Sequence, residues 1–355
     1  MRTRSMTLPV TTRQAGRWLL ALALALALTL ALFTQAQAIG ACTTPTQFFD
    51  LWAKTGTYTL PDSSTVPIWG YADSAAGAAQ LPGPMLTVAE GTCVQVTLHN
   101  DLAEATSLAL HGQGLAADRT GAPAAGTRVY TFSATRPGTY LYEAGLTTNG
   151  ARQVGMGLYG ALIVQPATPS TAYSSETTLV LSELDPALNA APTTFDMGNY
   201  RPHYWLINGV AYTTLSSVNA SIASGSTALI RYINAGLNEN SMSVLGLDQQ
   251  VAAADGYVVP PYTVVAETIP PGSTLDTLIT IPAGTAAGTQ FPVYSAAQYL
   301  DNNSVAYGGQ LMFITVGAPL APVAAPSVND AKGQAPPTEV VPQPVDAVKP
   351  VDQAR

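Results

Sequence analysis

The sequence predicts an all-β chain of short antiparallel strands, folded as two tandem sandwich domains. Three observations carry that expectation. Apolar and polar residues alternate with a period of two, as in Val94-Gln95-Val96-Thr97-Leu98, Ala228-Leu229-Ile230-Arg231-Tyr232 and Leu311-Met312-Phe313-Ile314, which sets one side of each strand against a core. Thirty Gly and 27 Pro in 355 residues punctuate these runs, and no long 3.6-residue pattern appears beyond the N-terminal segment. The chain also repeats itself. Residues 88–100 (VAEGTCVQVTLHN) align without a gap on 222–234 (IASGSTALIRYIN), and 107–112 (SLALHG) fall on 241–246 (SMSVLG) in the same frame. Further on, GTYLYEAG with YGALIV (138–145, 159–164) answers GTQFPVYS with YGGQLMFI (288–295, 307–314). Matches recurring in one order indicate a duplicated unit.

Along the chain, Arg2, Arg4, Arg13 and Arg17 precede an apolar run from Trp18 to Phe33, and then Ala36-Gln37-Ala38. A positive region, an apolar stretch and a small-residue site in that order read as a secretory signal peptide over residues 1–38. A retained anchor is the competing reading, although the run is short for a bilayer span. Export implies an oxidising compartment, so Cys42 and Cys93 read first as a disulfide. The alternation of TCVQVTLH turns Cys93 away from the apolar face of its strand, where a segment carrying Cys42 can cross it. The rival is a lipid anchor on Cys42, because Ile39-Gly40-Ala41-Cys42 loosely resembles a lipobox. The first domain is expected at 43–167 and the second at 172–316, separated by Pro166–Thr171. From 317 to 355 there is no aromatic residue and Pro recurs throughout, the composition of a disordered tail or spacer. The expected location is secreted or periplasmic.

Composition excludes some functions. The chain carries 14 basic and 22 acidic side chains, a net charge of −8. Loss of residues 1–38 leaves 10 basic against 22 acidic, a net of −12. No basic run exists to grip phosphates, so nucleic acid is not expected as a partner. Phosphate-loop, Rossmann and serine-hydrolase elbow motifs are absent. Ser182-Glu183-Leu184-Asp185 brings two carboxylates together before Pro186, and at a strand end these read as ordinary solvated acids. Five Met remain after residue 38, none spaced for a soft Cu(I) site.

The repeated segments resemble the cupredoxin, or plastocyanin-like, domains of the multicopper oxidase (laccase-like) family. GPMLTVAEGTCVQVTLHNDLAEATSLALHG (83–112) looks like the family's first-domain stretch leading into its first His-x-His pair. GTYLYEAG and QVGMGLYGALIV look like the segment with the second pair. WLINGVAY, IRYINAGLNENSMSVLGLDQQVAAADG and YGGQLMFITV resemble the second domain. The resemblance implies two Greek-key cupredoxin sandwiches, with the three-domain members' type 1 copper domain absent. It also implies a copper cofactor, held by four His-x-His pairs in a dioxygen-reducing cluster. This chain has three His. The first pair falls on Ala109 and His111, the second on Glu143 and Gly145, and the second-domain stretch reads Ser241-Met242-Ser243 and Leu247-Asp248. A type 1 site needs a Cys among His and Met partners, and Tyr140 to Gly155 contains none.

No cofactor or catalytic residue is therefore expected. The expectation is a pseudoenzyme, a scaffold or binding protein of the cell envelope working with an unidentified partner or as a homo-oligomer. Two alternatives stand beside it: a copper oxidoreductase completed by a partner chain, and a weak copper-handling protein using His111 with Glu143. His99 and His203 read as surface or turn residues.

Overall fold

The computed structural model describes residues 42–213, 218–303 and 305–317. The signal-peptide reading and the Pro-rich tail beyond Gly317 lie outside the described residues. Among the described residues, no helix is long and apolar enough to cross a membrane.

The first set of strands is β1 (Gln47–Thr59), β2 (Thr65–Ala72), β3 (Leu86–Ala89), β4 (Cys93–Asn100), β5 (Leu108–Leu110), β6 (Thr127–Ser133), β7 (Gly138–Ala144) and β8 (Tyr159–Gln165). They form two four-stranded sheets, ordered β2-β1-β4-β6 and β3-β8-β7-β5. Val94, Val96 and Leu98 point inward from β4 at 0% exposure, as their alternation predicts, while Cys93, Gln95, Thr97 and His99 stay partly exposed. The inward rows of both sheets merge into one core that includes Phe49, Leu51, Phe132, Leu86, Leu141 and Leu162. Cys42 and Cys93 are joined by a disulfide, Cα to Cα 5.8 Å, which staples the N-terminal segment to the start of β4.

The second set is β9 (Ser175–Leu184), β10 (Tyr204–Ile207), β11 (Asn219–Ile222), β12 (Thr227–Asn234), β13 (Asn240–Val244), β14 (Gln249–Ala254), β15 (Tyr257–Val264), β16 (Ala266–Ile269), β17 (Thr274–Thr280), β18 (Gln290–Ser295), β19 (Asp301–Asn302), β20 (Val305–Ala306) and β21 (Leu311–Val316). One sheet runs β15-β14-β17-β12-β9-β10-β19-β20, the other β11-β21-β18-β13-β16. Leu181, Ile230, Tyr232 and Ile279 from the first sheet meet Met242, Val244, Val293 and Ile314 from the second. At the outer edge, β15 carries Pro260 and Pro261, both exposed, where its pairing with β14 shifts register between Val251 and Ala253.

The repeat seen in the sequence reappears in the pairing. β1 joins β4 in parallel and β9 joins β12 in parallel. β3 joins β8, and β11 joins β21, also in parallel. The Asn that closes each repeat does the same work in both. Asn100 Nδ2 donates to Glu104 O at 2.8 Å while its Oδ1 accepts from Leu102 N; Asn234 Nδ2 donates to Asn238 O at 2.8 Å while its Oδ1 accepts from Gly236 N. Both side chains are buried, so each amide must satisfy the carbonyls of its loop from within.

Among the described residues, two short α-helices escape the alternation pattern: α1 (Gly150–Met156) and α2 (Pro186–Ala190). Seven and five residues are too few to display a helical period. Asp185 caps α2, accepting from Ala187 N at 2.9 Å, and its other oxygen accepts from Arg201 N at 2.7 Å. Asp185→Ala is expected to cost about 1–2 kcal/mol, read as a lowered denaturant midpoint. An unchanged midpoint would show that solvent replaces both bonds.

The two sandwiches also pack on each other. Val180, Leu188, Ile233 and Ala235 join the first core, and Leu60, Val66 and Ile68 cluster with Leu184, Tyr204 and Leu206. β9 and β12 are thus covered on both faces. This corrects the reading of Glu183 and Asp185 as solvated acids: both are buried, at 3% and 2% exposure. The unbroken run Leu179-Val180-Leu181 is the signal of a two-sided strand.

Candidate functional site

The positions singled out by the metal-ligand pattern lie on β5, β7 and β13 or directly after them. His111 follows β5, where its N donates to Leu141 O at 3.0 Å. Gly112 comes next at φ +70°, and a Cβ there would run into the Tyr140 ring, so the turn that aims His111 needs glycine. Ala109 sits opposite Glu143 in the β5–β7 ladder. His111 Nε2 and Glu143 Oε1 are 2.9 Å apart, with side chains 37% and 20% exposed. The structure therefore brings these two predicted candidates together in a partly buried position. A Cβ built on Gly272, in the loop before β17, would lie 3.7 Å from His111 Cε1, so the pair stands where the second sandwich approaches the first.

The other ligand-like positions are occupied differently. A Cβ on Gly145 would run into Ser107 Oγ, so any side chain here would displace that hydroxyl. Ser241 Oγ is 2.9 Å from Thr268 Oγ1, and Ser243 Oγ donates to Val265 O at 2.9 Å; both hydroxyls are engaged within their own sandwich. Among the described residues, no three of His, Cys, Asp and Glu gather closely enough to hold a metal ion. His99 corrects its expected place just after a strand: it lies within β4, stacked on Trp52 with ring centroids 4.2 Å apart and bonded to Asp50 Oδ1 at 2.9 Å. His203 is exposed. The donor set, one imidazole and one carboxylate, does not fit a copper cluster or a type 1 copper site.

Two ionic groups lie deeper: Glu183, which the sequence reading took for a solvated acid, and Arg231, to which it gave no role. Glu183 Oε1 accepts from Leu237 N at 2.6 Å, Asn238 N at 3.1 Å and Asn238 Nδ2 at 3.1 Å. Burial pushes its carboxyl up to about 7, against these bonds, which pull it down. A Cβ on Gly236 would collide with this carboxylate, so the loop can close over Glu183 only with glycine there. Arg231 is 3% exposed. Its Nη2 donates to Glu176 Oε2 at 2.8 Å, and its Nη1 to Asp276 Oδ2 at 3.2 Å and to Thr139 Oγ1 at 3.0 Å; Thr139 in turn donates to Asp276 Oδ1 at 2.6 Å. Thr139 belongs to β7, so this network ties the first sandwich to the second. Burial raises the Asp276 carboxyl and Arg231 opposes it. For the more open Glu176, Arg231 and hydrogen bonds outweigh the burial that would raise it, and its carboxyl lies below the ordinary range.

Comparison with known proteins places this geometry. A family model described as multicopper oxidase matches residues 54–169. Laccase-12 of Arabidopsis thaliana is 31% identical over 226 residues, 56% of this chain and 39% of that protein. Copper resistance protein A of Escherichia coli is 35% identical over 112 residues, 29% of this chain and 18% of that protein. The chain thus spans less than half the length of these curated relatives. Among solved structures, a blue copper oxidase from Nitrosomonas europaea superposes with a TM-score of 0.66 at 21% identity, covering 76% of this chain and 85% of that one. That likeness shows the fold: cupredoxin sandwiches.

Proposed function

We propose, on the premise that this chain belongs to the multicopper oxidase family, that it is an exported, non-catalytic member: two cupredoxin sandwiches kept as a scaffold or binding protein of the cell envelope. The observation that carries this reading is the side-chain content of the ligand positions. Ala109, Gly145, Ser241 and Ser243 stand where imidazoles would be needed, and metal chemistry depends on the side chains a fold presents, not on the fold. Three His in the whole chain cannot supply four His-x-His pairs. Its disulfide fits an oxidising compartment.

The test is to purify the protein from its native host, measure its copper content, titrate it with copper, and follow oxygen consumption with phenols and metal ions. The expected result is no turnover and no multi-copper stoichiometry. Sustained oxygen consumption dependent on bound copper would overturn the reading, and if it appeared only with a partner chain present it would favour an oxidase completed in trans.

One observation favours a second reading, a weak copper-handling protein: the 2.9 Å approach of His111 to Glu143 in a partly exposed position. An imidazole nitrogen and a carboxylate offer a two-point site for a divalent ion. Here copper binds at no more than one equivalent, and His111→Ala abolishes it. Retention of the same affinity in His111→Ala would remove this reading and leave the scaffold.

A further inference from the structure

The outer face of the β11-β21-β18-β13-β16 sheet carries a feature that copper chemistry does not use. Pro292 and Tyr294 on β18 stand directly across from Phe313 and Leu311 on β21, and their inward neighbours Val293 and Met312 are buried in the core. The four outward side chains form an apolar floor. Leu245, whose N donates to Pro292 O at 2.8 Å, rises at one rim and Tyr307 at another. Together they line a concave groove of about 460 Å³, with no charged side chain among the described residues lining it. That volume falls in the range of sites for small organic ligands.

The rim is built, not incidental. Tyr307 holds φ +65° and is 83% exposed. For a bulky residue this backbone conformation costs free energy, and exposure of the ring recovers nothing in the free protein. The next two residues are the glycines of a tightly knitted turn. A Cβ at Gly308 would meet the Asn302 side chain, and one at Gly309 would meet Tyr299 O. Asn302 locks this turn, donating from Nδ2 to Tyr212 O at 2.9 Å and accepting from Gly309 N at 3.0 Å. The loop is thus shaped to present an aromatic ring over an apolar floor.

The geometry points to a binding site for an uncharged, ring-bearing small molecule, with its planar face on Phe313 and Tyr294 and its far side covered by Tyr307. Neutrality follows from the lining: without a fixed counter-charge, an ionic ligand would be desolvated and left unpaired. Preference for rings over flexible chains follows from the aromatic walls, which reward stacked and edge-on contacts beyond area burial.

The test uses the full mature protein and Nile red, a neutral polycyclic dye whose emission rises in apolar surroundings. Saturable one-to-one binding is expected. Two variants at exposed positions leave the core intact: Leu245→Lys places a charge at the rim, and Tyr307→Gly removes the cover while relieving the positive φ. Each is expected to weaken dye binding roughly tenfold, the loss of one well-placed apolar wall, whereas Val258→Lys, on β15 away from the groove, leaves it unchanged. Absence of saturable binding, or equal affinity in both groove variants, would overturn the site. So would sedimentation showing a dimer that excludes the dye and dissociates in Leu245→Lys, since the groove would then be a subunit interface. Copper content does not enter any of these measurements, so the result is independent of the metal question.

Discussion

Arg231→Met is expected to destabilise the protein by about 3–5 kcal/mol, the cost of leaving a buried charge without its partner. Arg231 holds Asp276 and Glu176 at once and donates to Thr139. Without the guanidinium, the Asp276 carboxylate keeps one bond from Thr139 at 2.6 Å and stays 6% exposed, too little contact with water to be resolvated. The fall should be visible in the guanidinium chloride midpoint. Because Thr139 lies on the first sandwich, the variant should also loosen the coupling between the sandwiches, which then rests on the Thr139–Asp276 and Thr274–Thr139 bonds and the shared apolar contacts. The double variant Arg231→Met, Asp276→Asn should recover much of the loss, since removing both charges removes the unpaired one. A single variant within 1 kcal/mol of the parent, roughly the value of an exposed pair, would show that the network is solvated.

Stability should also fall as pH rises from about 5 to 8, with Glu183 as the cause. Its carboxyl sits at about 7 in the folded protein against an ordinary 4.5, so between these values the folded state holds a proton that the unfolded state has released. The contribution is therefore fully present below about 4.5 and is lost as pH rises through about 7. A shift of this size corresponds to about 3 kcal/mol at most. The titratable groups around it, Tyr159, Tyr200 and Tyr299, are phenols raised further by burial and stay protonated throughout this window. Glu183→Gln keeps an oxygen to accept from Leu237 N and Asn238 N but has no proton to lose. Its unfolding midpoint should be flat where the parent's declines. Parallel slopes in the two proteins would place the pH dependence elsewhere.

Much of the fold was legible because a period of two survives in the sequence wherever one side of a strand meets a core. The inward row Val94, Val96, Leu98 is a direct example, and the matching asparagines at 100 and 234 mark loop closures that the repeat alone exposed. The candidate pair His111 and Glu143 was legible only through the family resemblance, which lays the two His-x-His pairs on positions 109 and 111 and on 143 and 145. What stayed hidden depends on contacts between the sandwiches. β9 and β12 read as strands, but nothing local to Glu183 or Arg231 says that the opposite face is also covered; burial is decided for Glu183 by Tyr159 and Leu237 and for Arg231 by Thr139, each distant in sequence from the group it meets. Tyr307 was equally opaque, because its conformation is set by the glycines and Asn302 around it and not by its own preference.

The exposed pair Pro260-Pro261 on β15 has a consequence for how copies of this chain can meet. An open sheet normally grows by adding a neighbour's strand at its margin, and here the edge strand of the eight-stranded sheet is interrupted at its centre by two residues that have no N–H to offer. Its opposite margin is the two-residue bridge of β19 and β20, too short to template a partner. Filament-like growth through that sheet is thus disfavoured in both directions. Copies of this chain that meet at the eight-stranded sheet must therefore do so through its faces and not through its margins.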